Sequence, residues 1–111
     1  MITTTTLKNA AFAIECDLWT DSDGANYLAK DGAILRRWEP ETSSADSFEL
    51  MARLELGVAA FRGYGEVHAD DYDGNHEADS FYSGDRAQDY RAAILMCAAS
   101  IGAAIYSPEN H

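Results

Sequence analysis

The chain has 111 residues, 47% of them apolar, with 19 Asp and Glu against 8 Lys and Arg and a formal charge of -11. That length fits one domain with one modest core, and the apolar share is that of a folded chain. Such acidity disfavours nucleic acid and anionic membranes, whose phosphates require cations, and leaves a basic protein surface as the natural partner.

Residues 1–6 lack the basic and apolar regions of a signal peptide, and their threonines can cap a helix. Leu7, Ala11, Ile14 and Leu18 recur at helical spacing, with Lys8, Asn9, Glu15 and Asp17 on the other face, which predicts a helix over 7–18. TDSDG at 20–24 predicts a turn. Tyr27, Leu28, Ile34, Leu35 and Trp38 fit one or two short strands, turning at Lys30-Asp31-Gly32.

TSSAD at 42–46 opens a second helix, over 45–53, that buries Ala45, Phe48, Met51 and Ala52. Ser43, Ser44 and Ser47 at this start read as caps, not nucleophiles. Gly57 and Gly63 flank the strand-like LGVAAFRG, which pairs with a following strand, giving strands over 55–62 and 65–72. Residues 73–85 are polar and turn-rich and read as a loop. Asp85 caps a last helix over 86–105, with Tyr90, Ile94, Cys97, Ile101 and Ala104 on its core face.

Ala92, Ala93, Leu95, Met96, Ala98 and Ala99 make this helix apolar almost all round. It is therefore either central to the fold or the interface of a homodimer. Its apolar stretch is too short to span a bilayer. The expectation is an α+β single domain over 1–111: three helices packed on a small antiparallel β-sheet, as an α/β sandwich.

The chemistry-bearing motifs are few. No GxSxG, HExxH, P-loop or GxGxxG occurs, so no enzyme and no cofactor are expected. Cys16 and Cys97 lie in apolar stretches without CxxC spacing and read as buried thiols of a reducing, cytoplasmic compartment. Asp71, Asp73 and Asn75 match the start of a calcium loop, but His76 and Tyr82 stand where that loop needs Gly and Glu. His68 and His76 lie among carboxylates, yet spacing places no third ligand, so no metal is expected. His111 is the last residue.

Residues 66–85 stand out. They hold Glu66, Asp70, Asp71, Asp73, Glu77, Asp79 and Asp85, with no Lys or Arg. A run of carboxylates of this kind can imitate the phosphates of a nucleic-acid backbone. Glu66, Asp70, Asp71, Asp73, Glu77 and Asp79 are thus the candidate contact surface, with Phe81 and Tyr82 as aromatic anchors. A rival reading uses Arg36 and Arg37 for a phosphate and Trp38 for base stacking, which would make a nucleotide sponge. Another rival is an oligomeric structural role through the last helix.

Two segments carry a family resemblance. They are RRWEPETSSADSFELMARLEL at 36–56 and DYRAAILMCAASIG at 89–102. With the N-terminal helix they resemble the phage ABA sandwich domain group of small phage-encoded proteins. The resemblance implies an α/β sandwich and a phage or prophage origin, and it carries no catalytic residues. Small acidic phage proteins resemble inhibitors of host defence, anti-CRISPR proteins among them. The expected function is therefore a non-enzymatic accessory protein in the host cytoplasm that binds and blocks a basic host protein.

Overall fold

The computed structural model describes residues 2–61, 63 and 65–105. Arg62, Tyr64 and His111, on which parts of the sequence reading fall, lie outside the described residues.

Helix α1 spans Thr4–Ala13. Thr3 caps it: its Oγ1 accepts from Thr6 N–H at 3.2 Å, and Thr6 Oγ1 accepts from Thr3 N–H at 3.1 Å. The helix ends well before residue 18. Glu15 adopts a left-handed backbone (φ 62°), and Cys16 N–H reaches back to the Ala11 carbonyl at 3.0 Å. This closure is common with glycine. Glutamate in that place leaves no sequence mark, which is why a helix over 7–18 was the expectation.

Strands β1 (Asp17–Thr20), β2 (Asn26–Lys30) and β3 (Ala33–Arg37) follow as an antiparallel meander. The expected turns are present. Asp21 Oδ1 accepts from the backbone of Asp23 and Ala25, both at 2.9 Å, and this holds the Asp21 carboxyl below its usual range, with Ala25 the larger cause. Asp31 and Gly32 both have positive φ, as a tight two-residue hairpin requires.

Helix α2 spans Ser44–Arg53, capped by Ser43. Its buried residues are Ser47 and Leu50, with Met51 and Leu54 partly covered; Ala45, Phe48 and Ala52 are exposed. The core stripe thus runs through 47, 50, 51 and 54, rotated from the expected one. The helix closes as α1 does, with Glu55 left-handed (φ 54°) and Leu56 N–H on the Met51 carbonyl at 2.9 Å.

A second meander follows: β4 (Gly57–Phe61), β5 (Glu66–Asp70) and β6 (Glu77–Phe81). The β4–β5 pair was expected. Strand β6 replaces the middle of the expected loop over 73–85. Its inward residues, Ala78 and Ser80, are small and weakly apolar, so no alternation of large side chains marks it. Among the described residues the fold is α+β with three helices, as expected, but six strands form two three-stranded sheets instead of one.

Helix α3 (Arg86–Ile105) lies at the centre, against α1, α2, β5 and β6. Asp85 caps it, accepting from Ala87 N–H at 3.1 Å and Gln88 N–H at 3.3 Å. Ala93, Ile94, Leu95, Cys97, Ala98 and Ala99 are buried, while Tyr90 and Ile101 are partly covered and Ala104 is exposed. Leu95 is fully buried within one chain, so the apolar girth of α3 has an intrachain cause. No helix among the described residues is long and apolar enough to cross a membrane.

The α1–α3 contact has no slack. A Cβ at Gly102 would stand 1.7 Å from the Asn9 carbonyl oxygen and 2.6 Å from its carbon. Gly102→Ala should therefore destabilise the fold by about 1–3 kcal/mol or more, because backbone must move to admit it. Ile94→Ala should cost about 2–4 kcal/mol through lost burial and a residual cavity. Urea denaturation of both variants checks these values.

Candidate functional site

Alternation along the second sheet sorts its side chains. Val58, Ala60, Val67, Ala69 and Ala78 face the core. The other face carries three rows set by strand pairing. Phe61, Glu66 and Phe81 form the first, Ala59, His68 and Asp79 the second, and Gly57, Asp70 and Glu77 the third. A period of two therefore gathers four carboxylates and one imidazole on one side of a rigid sheet.

His68 sits at the middle. Its Nδ1 lies 2.7 Å from Asp79 Oδ1, and its Nε2 lies 3.5 Å from Asp70 Oδ2 and 3.8 Å from Glu77 Oε2. Phe61 meets its ring edge-on, with centroids 6.4 Å apart. A Cβ at Gly57 would stand 2.9 Å from Asp70 Oδ1, so glycine there leaves room for that carboxylate.

The charges act on one another. The hydrogen bond to Asp79 is the main cause that raises the His68 imidazolium above its usual value; the charges of Asp79, Asp70 and Glu77 add to it against the opposing burial. The same bond lowers the Asp79 carboxyl. Glu66 moves up, first through a hydrogen bond with Asp79 and then through burial. Among the described residues, no Lys or Arg pairs with these four carboxylates.

The remaining candidates are placed differently. Asp71 organises the β5–β6 turn, its Oδ1 accepting from His76 N–H at 3.1 Å, while its own N–H donates to the His76 carbonyl at 3.0 Å. Gly74, at φ 70°, completes this turn. Asp73 is exposed at the tip. His76 leaves the acidic face and bonds Ser100 Oγ on α3 at 2.9 Å. Phe81 is 70% exposed beside the acidic rows. Tyr82 is also exposed, but Arg86 lies over its ring at 5.3 Å.

The Arg36, Arg37 and Trp38 trio does not form a nucleotide site. Trp38 is fully buried and offers no face to a base. Arg36 is held by Asp46 at 2.7 Å and by Glu49, and Arg37 lies 3.7 Å from Glu39. Cys16 and Cys97 are buried free thiols, as expected. Burial, helped by the charges of Asp71, Asp70 and Glu77, pushes Cys97 up to about 11, so its thiol stays protonated and unreactive.

The sequence reading found the carboxylates but not their convergence on His68. Asp79 and Glu77 reach that imidazole only because β6 pairs with β5, and β6 bears no mark in the sequence. Comparison with known proteins gives no match: no family model, no curated protein and no solved structure is similar to this chain.

The His68–Asp79 pair makes stability depend on pH. The raised His68 value contributes stability that is full below its unfolded value of 6.5 and is lost as pH rises through the folded one. Asp79 contributes stability above its unfolded value of 3.8, lost as pH falls through the lowered one. Glu66, whose value is raised, works against Asp79 at the acidic end. The urea midpoint should therefore fall as pH rises above about 6.5 and through the raised His68 value, and His68→Gln should flatten that fall. Titration of the His68 ring protons by NMR should give a midpoint above 6.5.

Proposed function

We propose that the chain is a non-enzymatic binding protein whose acidic sheet face and β5–β6 tip occupy a basic surface on a partner protein. The carrying observation is the one-sided arrangement of Glu66, Asp70, Glu77 and Asp79 on the outer face of the second sheet, with His68 among them and no Lys or Arg paired to them among the described residues. Phe61 and Phe81 flank the carboxylates in the adjoining row. Aromatic anchors beside a charged row supply contact area where the charges supply steering.

A basic surface that accepts such a face is one built for nucleic-acid phosphates. With the phage origin that the sequence resemblance implies, the partner is a host defence protein, and binding blocks its nucleic-acid site. The protein itself has too few and too scattered cations to hold DNA or RNA.

The test separates binding carboxylates from structural ones. Asp71 stays, because it holds a turn. Asp70→Asn, Asp73→Asn and Glu77→Gln in one variant should leave the circular dichroism spectrum unchanged. Association with the partner, captured from host lysate and identified by mass spectrometry, should slow about tenfold or more, with a shallower salt dependence. DNA or RNA should compete with the unaltered protein for that partner. Unchanged affinity and salt slope in the triple variant would move the interface off this face.

A further inference from the structure

We propose that Glu66, His68 and Asp79 form a binding site for a divalent transition ion of the zinc class. One donor atom from each of the three lies within 4.8 Å of the other two. Around a tetrahedral ion with bonds of about 2.0–2.2 Å, donors stand roughly 3.3 Å apart. Three side chains on two paired strands thus need only small rotations to close on one ion, and a solvent molecule can take the fourth position.

The imidazole distinguishes this site from a charged patch. Carboxylates alone suit calcium or magnesium, whereas one nitrogen with two carboxylate oxygens suits zinc, cobalt or nickel. His68 is also oriented as metal-bound histidines are. While one ring nitrogen faces Asp79, the other faces Asp70 Oδ2 at 3.5 Å and Glu77 Oε2 at 3.8 Å. With a metal on the near nitrogen, a carboxylate at that distance from the far one can take its N–H and strengthen the metal-bound nitrogen. Phe61 against the ring edge limits its rotation. The strand register fixes all of these groups on one face of the sheet.

The crowding itself points to a cation. Glu66 and Asp79 lie on the same face of paired strands with donor atoms within 4.8 Å of each other. A divalent ion between two carboxylates neutralises both at once. The inference does not rest on partner binding, and its test needs no partner.

Untagged, chelator-treated protein should be titrated with ZnCl2 by calorimetry and with CoCl2 by visible absorption. The expected result is one equivalent of Zn2+ per chain at micromolar affinity, and a Co2+ spectrum of low coordination number. His68→Ala should abolish this binding, and Asp70→Asn with Glu77→Gln should weaken it about tenfold. His76→Gln should leave it unchanged. If a variant fails to fold, NMR of the unaltered protein decides, since Zn2+ should shift the His68 ring signals before those of His76. Absence of one-equivalent binding would overturn the proposal. So would binding insensitive to His68→Ala, or Ca2+ binding of equal strength.

Discussion

The close approach of α1 to α3 governs the rest of this fold. At Gly102 the backbone of α3 comes so near the Asn9 carbonyl that no side chain fits between them. Ala10, Ala11, Ala98 and Ala99, all buried, keep the helices' contacting faces small. With one side closed in this way, α3 presents its other sides to α2 and to the second sheet. Three short strands do not stand alone in water. The sheet is therefore held by α3, and its inward Val67, Ala69 and Ala78 are correspondingly small. Packing on one face is complete, and the opposite face is left free of any demand for apolar residues.

The negative charge divides into two populations. Asp21, Asp71, Asp85 and Asp89 spend their carboxylates on backbone N–H groups of turns and of a helix start. Asp46 and Glu49 bind Arg36. These groups are needed to build the fold. Among the described residues, Asp70, Glu77 and Asp79 form ion pairs with His68, whose imidazolium they stabilise, and with no Lys or Arg. Carboxylates placed together on a sheet oppose folding, though solvent and salt screen them to a reach of about 8 Å.

The sequence showed most of the elements that carry large apolar periods or turn chemistry. The last helix, the 31–32 hairpin, the β4–β5 pair and the Ser43 and Asp85 caps were all legible. What it hid has physical causes. Glu15 ends α1 in a left-handed conformation that usually advertises itself as glycine, and so β1 was absorbed into a helix. Strand β6 turns inward only the small, partly covered Ala78 and Ser80. On α2, Phe48 misled the reading because the larger side chain is the exposed one. The acidic composition of the site was visible, but its geometry depended on the unseen strand. His68 and Asp79 are cross-strand partners although eleven positions separate them in the chain.

A comparison internal to the chain isolates what folding does not explain. The topology runs twice through a helix and a three-stranded meander. Both helices close on a left-handed glutamate, Glu15 and Glu55. Both meanders contain an Asp-x-Asp-Gly turn whose first aspartate accepts backbone N–H groups, Asp21 and Asp71. These shared devices are what this topology requires. The outer faces are not shared. In the first sheet Trp19 packs at a tilt against Tyr27 with centroids 5.3 Å apart, while the second carries carboxylates around an imidazole. Two units built alike thus present different chemistry on the side that packing leaves unconstrained. Either composition satisfies the fold, so packing does not dictate the acidic one.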